Sequence, residues 1–134
     1  MPTVFRAMKK DTDDLPSLGS SSTSLGVRLA DFDIDPVTGM VLVTNNGASI
    51  SPSCRQLPQA FRPTKFPGGL GTKNVFCFRM GEGTWEQGIL APSLEAVPDG
   101  PSNPNHGVIR PERAMSVEEL NAAFAATRSD WHLM

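Results

Sequence analysis

Ser116 and Glu119 stand three residues apart, directly ahead of an apolar series at helical spacing. No other feature constrains the fold of this chain as tightly. A serine at a helix N-cap accepts a hydrogen bond from the amide three residues on, and a glutamate at that position reaches back to the cap. Met115 precedes the cap and Leu120 lies four positions into the helix, the arrangement of a hydrophobic staple. Val117, Leu120, Phe124, Thr127 and Trp131 then recur along one helical face, so the spacing predicts a packed helix that ends at Trp131. Ahead of it, Asn105-His106-Gly107-Val108-Ile109-Arg110-Pro111 reads as a short strand. Period-two alternation puts His106, Val108 and Arg110 on one face and Gly107 and Ile109 on the other. A histidine and an arginine that face the same way are a candidate polar site.

The rest of the chain reads as strands separated by loops. Thr3 to Met8 is a strand with Phe5 and Ala7 on one face and Val4, Arg6 and Met8 on the other. Lys9 to Gly26 is polar, and Ser17 to Ser24 has the composition of a mobile loop that packs little. Val27 to Ile34 fits a short helix or a strand. Asp35 to Gly39 is a turn, Met40 to Thr44 is an apolar run of strand length, and Asn45-Asn46-Gly47 is a strong turn signal. Four prolines between Ser49 and Pro67 predict extended, irregular chain with at most one helical turn. Asn74 to Met80 alternates as a strand, Gly88 to Ala91 begins another, and Pro98 to Pro104 is a loop. Strands first and one firm helix last predict an α+β fold with an antiparallel or split sheet.

At 134 residues the chain makes one domain with room for a core. Twelve glycines and twelve prolines come to about 18% of it, above the usual ~12%, which fits many short strands and loops. A net charge of -2 gives no electrostatic footprint for nucleic acid or anionic lipid. Cys54 and Cys77 are too few for a disulfide framework, and with His106 and His132 they lack metal-ligand spacing, so no metal is expected. No apolar segment has the length of a signal peptide or a membrane span. Action in cytosol is the simplest expectation, reached if necessary by a route without a cleaved signal.

Several residues invite a functional reading beside a plainer one. Gly68-Gly69-Leu70-Gly71-Thr72-Lys73 lacks the spacing of a phosphate loop and of a dinucleotide fingerprint, which leaves a loop that could close over a ligand. Arg6 is either an edge-strand arginine with its head in solvent or a guanidinium aimed into a cleft to grip phosphate or carboxylate. Ser49 either ends a hairpin turn or is a hydroxyl oriented by the small residues Gly47 and Ala48. His106 is either a satisfied structural histidine or a group that bonds a ligand and moves protons near neutral pH. Glu112, just past the strand, is either solvated or a site carboxylate.

Taken in order, Phe5-Arg6-Ala7, then Thr44-Asn45-Asn46-Gly47-Ala48-Ser49, then Asn105 to Pro111 with Met115, then Thr127-Arg128-Ser129-Asp130-Trp131 resemble the ADP-ribosyltransferase-like toxin family typified by a small type VI secretion effector. The resemblance spans Val4 to Trp131 with gaps, and its C-terminal block is the most specific part. It implies a split β-sheet around a cleft for NAD as co-substrate. It assigns Arg6, Gly47, Ala48 and Ser49 to dinucleotide binding and His106 and Ser49 to catalysis. It also implies an intracellular target and a cognate immunity protein. The E-x-E or Q-x-E triplet of many ADP-ribosyltransferases is absent, and Glu112 is the nearest carboxylate to stand in for it. The same fold could instead support NAD hydrolysis or phosphotransfer on RNA, and a non-catalytic protein-binding module is the other alternative.

Overall fold

Alternation along short strands sets the architecture. The structure, a computed structural model that describes residues 1–134, has seven strands: β1 (Val4–Met8), β2 (Ala48–Ile50), β3 (Phe76–Met80), β4 (Gly88–Ala91), β5 (Leu94–Pro98), β6 (Gly107–Pro111) and β7 (His132–Leu133). One α-helix, α1 (Val117–Ala126), lies between β6 and β7. The strands form two antiparallel sheets, ordered β1-β3-β7 and β2-β6-β5-β4. This is the expected α+β fold. A single bridge joins the sheets: the Phe5 amide donates to the Ser51 carbonyl at 3.0 Å, and the Ser51 amide donates back at 2.8 Å.

The main core lies between the sheets and α1. Val4 and Met8 from β1, Phe78 and Met80 from β3, Ile50, Leu94 and Ile109 from the second sheet, and Leu120 and Phe124 from α1 all belong to it. Burial of such side chains contributes about 1.5–3 kcal/mol each. On the other face of β1 and β3, Ala7 and Cys77 form a smaller cluster with Cys54, Leu57 and Val75. Cys54 and Cys77 are joined there as a disulfide, with Cα atoms 5.7 Å apart. Two cysteines do not make a framework, but they do make one staple. It pins the short 3-10 turn Cys54–Gln56 onto β3, a pairing across 23 residues that spacing alone does not reveal.

The structure corrects several local expectations. The helix stops at Ala126 rather than Trp131. Thr127 turns its hydroxyl back to the Phe124 carbonyl at 2.7 Å, and the Trp131 indole N–H donates to that hydroxyl at 3.0 Å. The chain therefore continues as a 3-10 turn, Arg128–Asp130, and Trp131 fills the core from outside the helix. The start of the helix is as expected: the Glu119 amide donates to Ser116 Oγ at 3.1 Å, and Met115 and Leu120 are fully buried. Met40 to Thr44 forms no strand, since only Val41 is bridged, to Ile34 and Met115, while Leu42 and Val43 remain exposed. Two 3-10 turns rather than one, Cys54–Gln56 and Gln59–Phe61, occupy the proline-rich segment. The undecided stretch after Val27 holds a 3-10 turn, Leu29–Asp31.

Ser17 to Ser24 packs more than its composition suggests. Thr23 and Ser24 are buried, the Lys9 amide donates to the Thr23 carbonyl at 2.8 Å, and the Leu25 amide donates to the Ser17 carbonyl at 2.8 Å. The preceding residues are tied to the C-terminus through Arg128, which reaches Asp11 and Asp13 at 2.8 Å and the Pro16 carbonyl at 2.9 Å. The Arg128 hydrogen bonds hold the Asp13 carboxyl below its usual pKa. A carboxyl with a depressed folded pKa contributes stability above its unfolded pKa, about 3.9, and loses it as pH falls below that value. Arg128→Met should therefore lower the unfolding temperature near neutral pH, and the gap from wild type should shrink on acidification to about pH 2.5. A gap independent of pH, followed by calorimetry, would show that Arg128 acts only through packing.

Candidate active site

Three-residue β2 carries the site. Gly47 enters it so close to β6 that a Cβ there would overlap the Ile109 carbonyl, which explains the small residue. Alternation then turns Ala48 and Ile50 into the core and leaves Ser49 outside, opposite Val108. His106 precedes β6 and therefore sits on the Ser49 side, as the period-two reading requires.

His106 is held at both ring nitrogens. Nδ1 lies 2.7 Å from Asp99 Oδ2, and Nε2 lies 3.2 Å from Ser49 Oγ. An ionised carboxylate only accepts, so Nδ1 carries the proton facing Asp99. With the ring neutral, Nε2 is then the acceptor for the Ser49 hydroxyl. Asp99 is itself fixed: Asn103 Nδ2 donates to Oδ2 at 2.9 Å, and the Asp99 amide donates to the His106 carbonyl at 2.9 Å.

Arg6 comes from β1 and lies beneath Ser49. Nη1 donates to the Ser49 carbonyl at 2.7 Å, and Nη2 donates to the carbonyls of Ser24 at 3.1 Å and Ser22 at 3.3 Å. These bonds use three of a guanidinium's five N–H groups and leave two. Only 4% of the residue is exposed. Burial lowers its pKa to about 10, against a smaller opposing pull from Asp31, so it stays charged at neutral pH. Both sequence readings of Arg6 thus need amending: the head is neither in solvent nor free in a cleft.

Two hollows meet at this point. One, of about 290 Å³, is lined by Arg6, Ser22, Arg28, Leu57 and Phe61; the other, of about 390 Å³, by Asn45, Asn46, Gly47 and Asp99. Asp31, Ser49 and His106 border both. The structure therefore brings Arg6, Ser49 and His106 together, with Gly47 beside them. Ala48 points into the core. Glu112 is placed elsewhere: it is exposed, its amide pairs with the Ser93 carbonyl, and the whole of β6 separates it from His106. At roughly 3.3 Å per residue that is about 20 Å. Asp31 and Asp99 supply the carboxylates instead. In sequence, Asp99-Gly100 reads only as a turn, and Asp31 lies in the stretch whose structure alternation leaves open.

Two antiparallel sheets around a polar cleft, with residues from β1, β2 and the start of β6 converging in it, define an α+β domain with an enzyme-like site. The chain belongs to the Tse2 ADP-ribosyltransferase toxin family, whose family model matches residues 3–131. No curated protein and no solved structure matches it significantly.

Arg6→Lys should lower the urea midpoint at an unchanged m-value. Lysine keeps the charge but cannot span three carbonyls, and each charge-assisted bond lost costs about 1.5–3 kcal/mol. An unchanged midpoint would show that these bonds contribute nothing. Gly47→Ala should also destabilise, by displacing β2 from β6; amide exchange at Ile109 faster than in wild type is the readout.

Proposed function

We propose that this chain is a toxin enzyme that breaks the nicotinamide–ribose bond of NAD beside Ser49 and His106 and passes ADP-ribose to an acceptor in a target cell. The observation that carries this reading is the orientation of His106, locked by Asp99 on one nitrogen and presented to Ser49 by the other. Family membership supports the reaction class, and two hollows meeting at these residues offer separate room for the two ends of a dinucleotide.

The chemistry follows from charge. As the bond opens, its electron pair leaves with nicotinamide and positive charge develops on the ribose. A fixed negative group nearby stabilises that charge, and Asp31, which borders both hollows, is the carboxylate suited to it. Ser49 and His106 orient the ribose through hydrogen bonds. His106 Nε2 then takes the proton that the acceptor loses as its new bond to the ribose forms. The two remaining N–H groups of Arg6, with the exposed Arg28, hold NAD phosphate oxygens. Phe61 gives a flat wall for a base. Glu112 takes no part.

Purified chain incubated with NAD and a cell lysate should release nicotinamide and label an acceptor; release without lysate would identify water as the acceptor and the chain as a hydrolase. His106→Ala should slow release by about 10²–10⁴-fold. Asp99→Asn should slow it by on the order of 10²-fold or more, because the other tautomer becomes available. Both should unfold near the wild-type temperature. No release by wild type, or full activity in His106→Ala, would overturn the proposal.

A further inference from the structure

A third hollow, polar and of about 440 Å³, lies on the face of the first sheet that carries Phe5 and Arg79, which are paired in register. Thr3, Phe5, Pro52, Arg79, Glu82 and Trp85 line it. Arg79 Nε is the one buried side-chain nitrogen or oxygen in the chain without a hydrogen-bond partner. A buried donor left unpaired carries its desolvation cost with no return. Arg79 also makes no ion pair, and Arg55 is the only other arginine that makes neither a hydrogen bond nor an ion pair. Arg55 lies in the adjoining hollow across Phe5, which lines both.

We propose that the Arg79 hollow is a binding site for the carboxylate of an acidic side chain, presented by a polypeptide that also engages Arg55 on the far side of Phe5. Nη1 and Nη2, which are not sealed off as Nε is, form the planar fork that matches two carboxylate oxygens. The walls of Phe5, Pro52 and Trp85 cover the apolar stem of such a side chain. Thr3 Oγ1 already accepts from the Gly83 amide, so its hydroxyl proton is available to donate. Glu82 on the rim decides between anions. With one cation and one carboxylate, the hollow suits a monoanion held by a fork and repels a phosphate dianion. Two unpaired arginines flanking one aromatic ring match an extended segment with an acidic, an apolar and an acidic residue. The site does not depend on the NAD reading and shares no lining residue with the cleft beside His106.

The test is an NMR titration of ¹⁵N-labelled full chain with acetyl-Glu-Leu-Glu-amide, acetyl-Gln-Leu-Gln-amide, N-acetylglutamate methylamide and inorganic phosphate. The Arg79 Nε–H and Trp85 indole N–H resonances are followed. The Glu peptide should shift both saturably, and the Gln peptide should bind at least about tenfold more weakly, the scale of one charge-assisted bond. Arg79→Gln should abolish saturation while unfolding normally; if that variant does not fold, Arg79→Lys, which keeps charge without the fork, should weaken binding by about tenfold. Arg55→Gln should weaken the Glu peptide and leave the single glutamate derivative unchanged. Equal binding of the Gln peptide, tighter binding of phosphate, or undiminished binding to a folded Arg79 variant would overturn the site. An unaffected Glu peptide with Arg55→Gln would overturn the polypeptide assignment. Failure of NAD turnover would leave all of these results unmoved, so the two proposals fail separately.

Discussion

One guanidinium, that of Arg6, gathers three main-chain carbonyls from two segments: Ser49 of β2, and Ser22 and Ser24 of the serine-rich loop. Buried carbonyls need donors, and a loop of small polar residues has little apolar area with which to anchor itself. Arg6 supplies both needs at once. The cost of burying its charge is visible in its lowered pKa and is offset by three bonds and by Asp31. The floor of the cleft and the stability of the surrounding chain are therefore the same interaction.

Above that floor, orientation passes outward through short steps. Gly47 lets β2 sit against β6, alternation presents Ser49, and the loop after β5 returns Asp99 to the far side of His106. None of these steps needs a long element. Seven short strands and one helix suffice because Arg6 and Ser49 sit within β1 and β2, while His106 and Asp99 stand just beyond the ends of β6 and β5, where a side chain can leave the sheet and its backbone is still held by it.

What could be read from the residues follows the range of the physics. The cap at Ser116 and the alternation of β1 and of His106 to Arg110 depend on near neighbours, and each is found where expected, whereas the turn expected at Asn45 to Gly47 is only a bend at Thr44 and Asn45. Arg6, Ser49 and His106 converge as the family resemblance implied. The premature end of α1, the unpaired run at Met40 to Thr44, the Cys54–Cys77 bond and the carboxylates of Asp31 and Asp99 depend on contacts made only after the chain has folded. Local pattern has no access to them. Glu112 misled for the related reason that proximity in sequence to His106 becomes distance along a strand.

The pairing of β2 has a consequence for the order in which this protein comes into being. Its partner in the sheet is β6, whose first residue is Gly107, so Ser49 has no strand to lie against until more than fifty further residues have been made. His106 arrives at the same moment, and Trp131 closes the core later still. A ribosome adds roughly 5–20 residues per second, so the nascent chain spends seconds with Ser49 and no site. For a chain of this family, Ser49 and His106 meet only after β6 has been made.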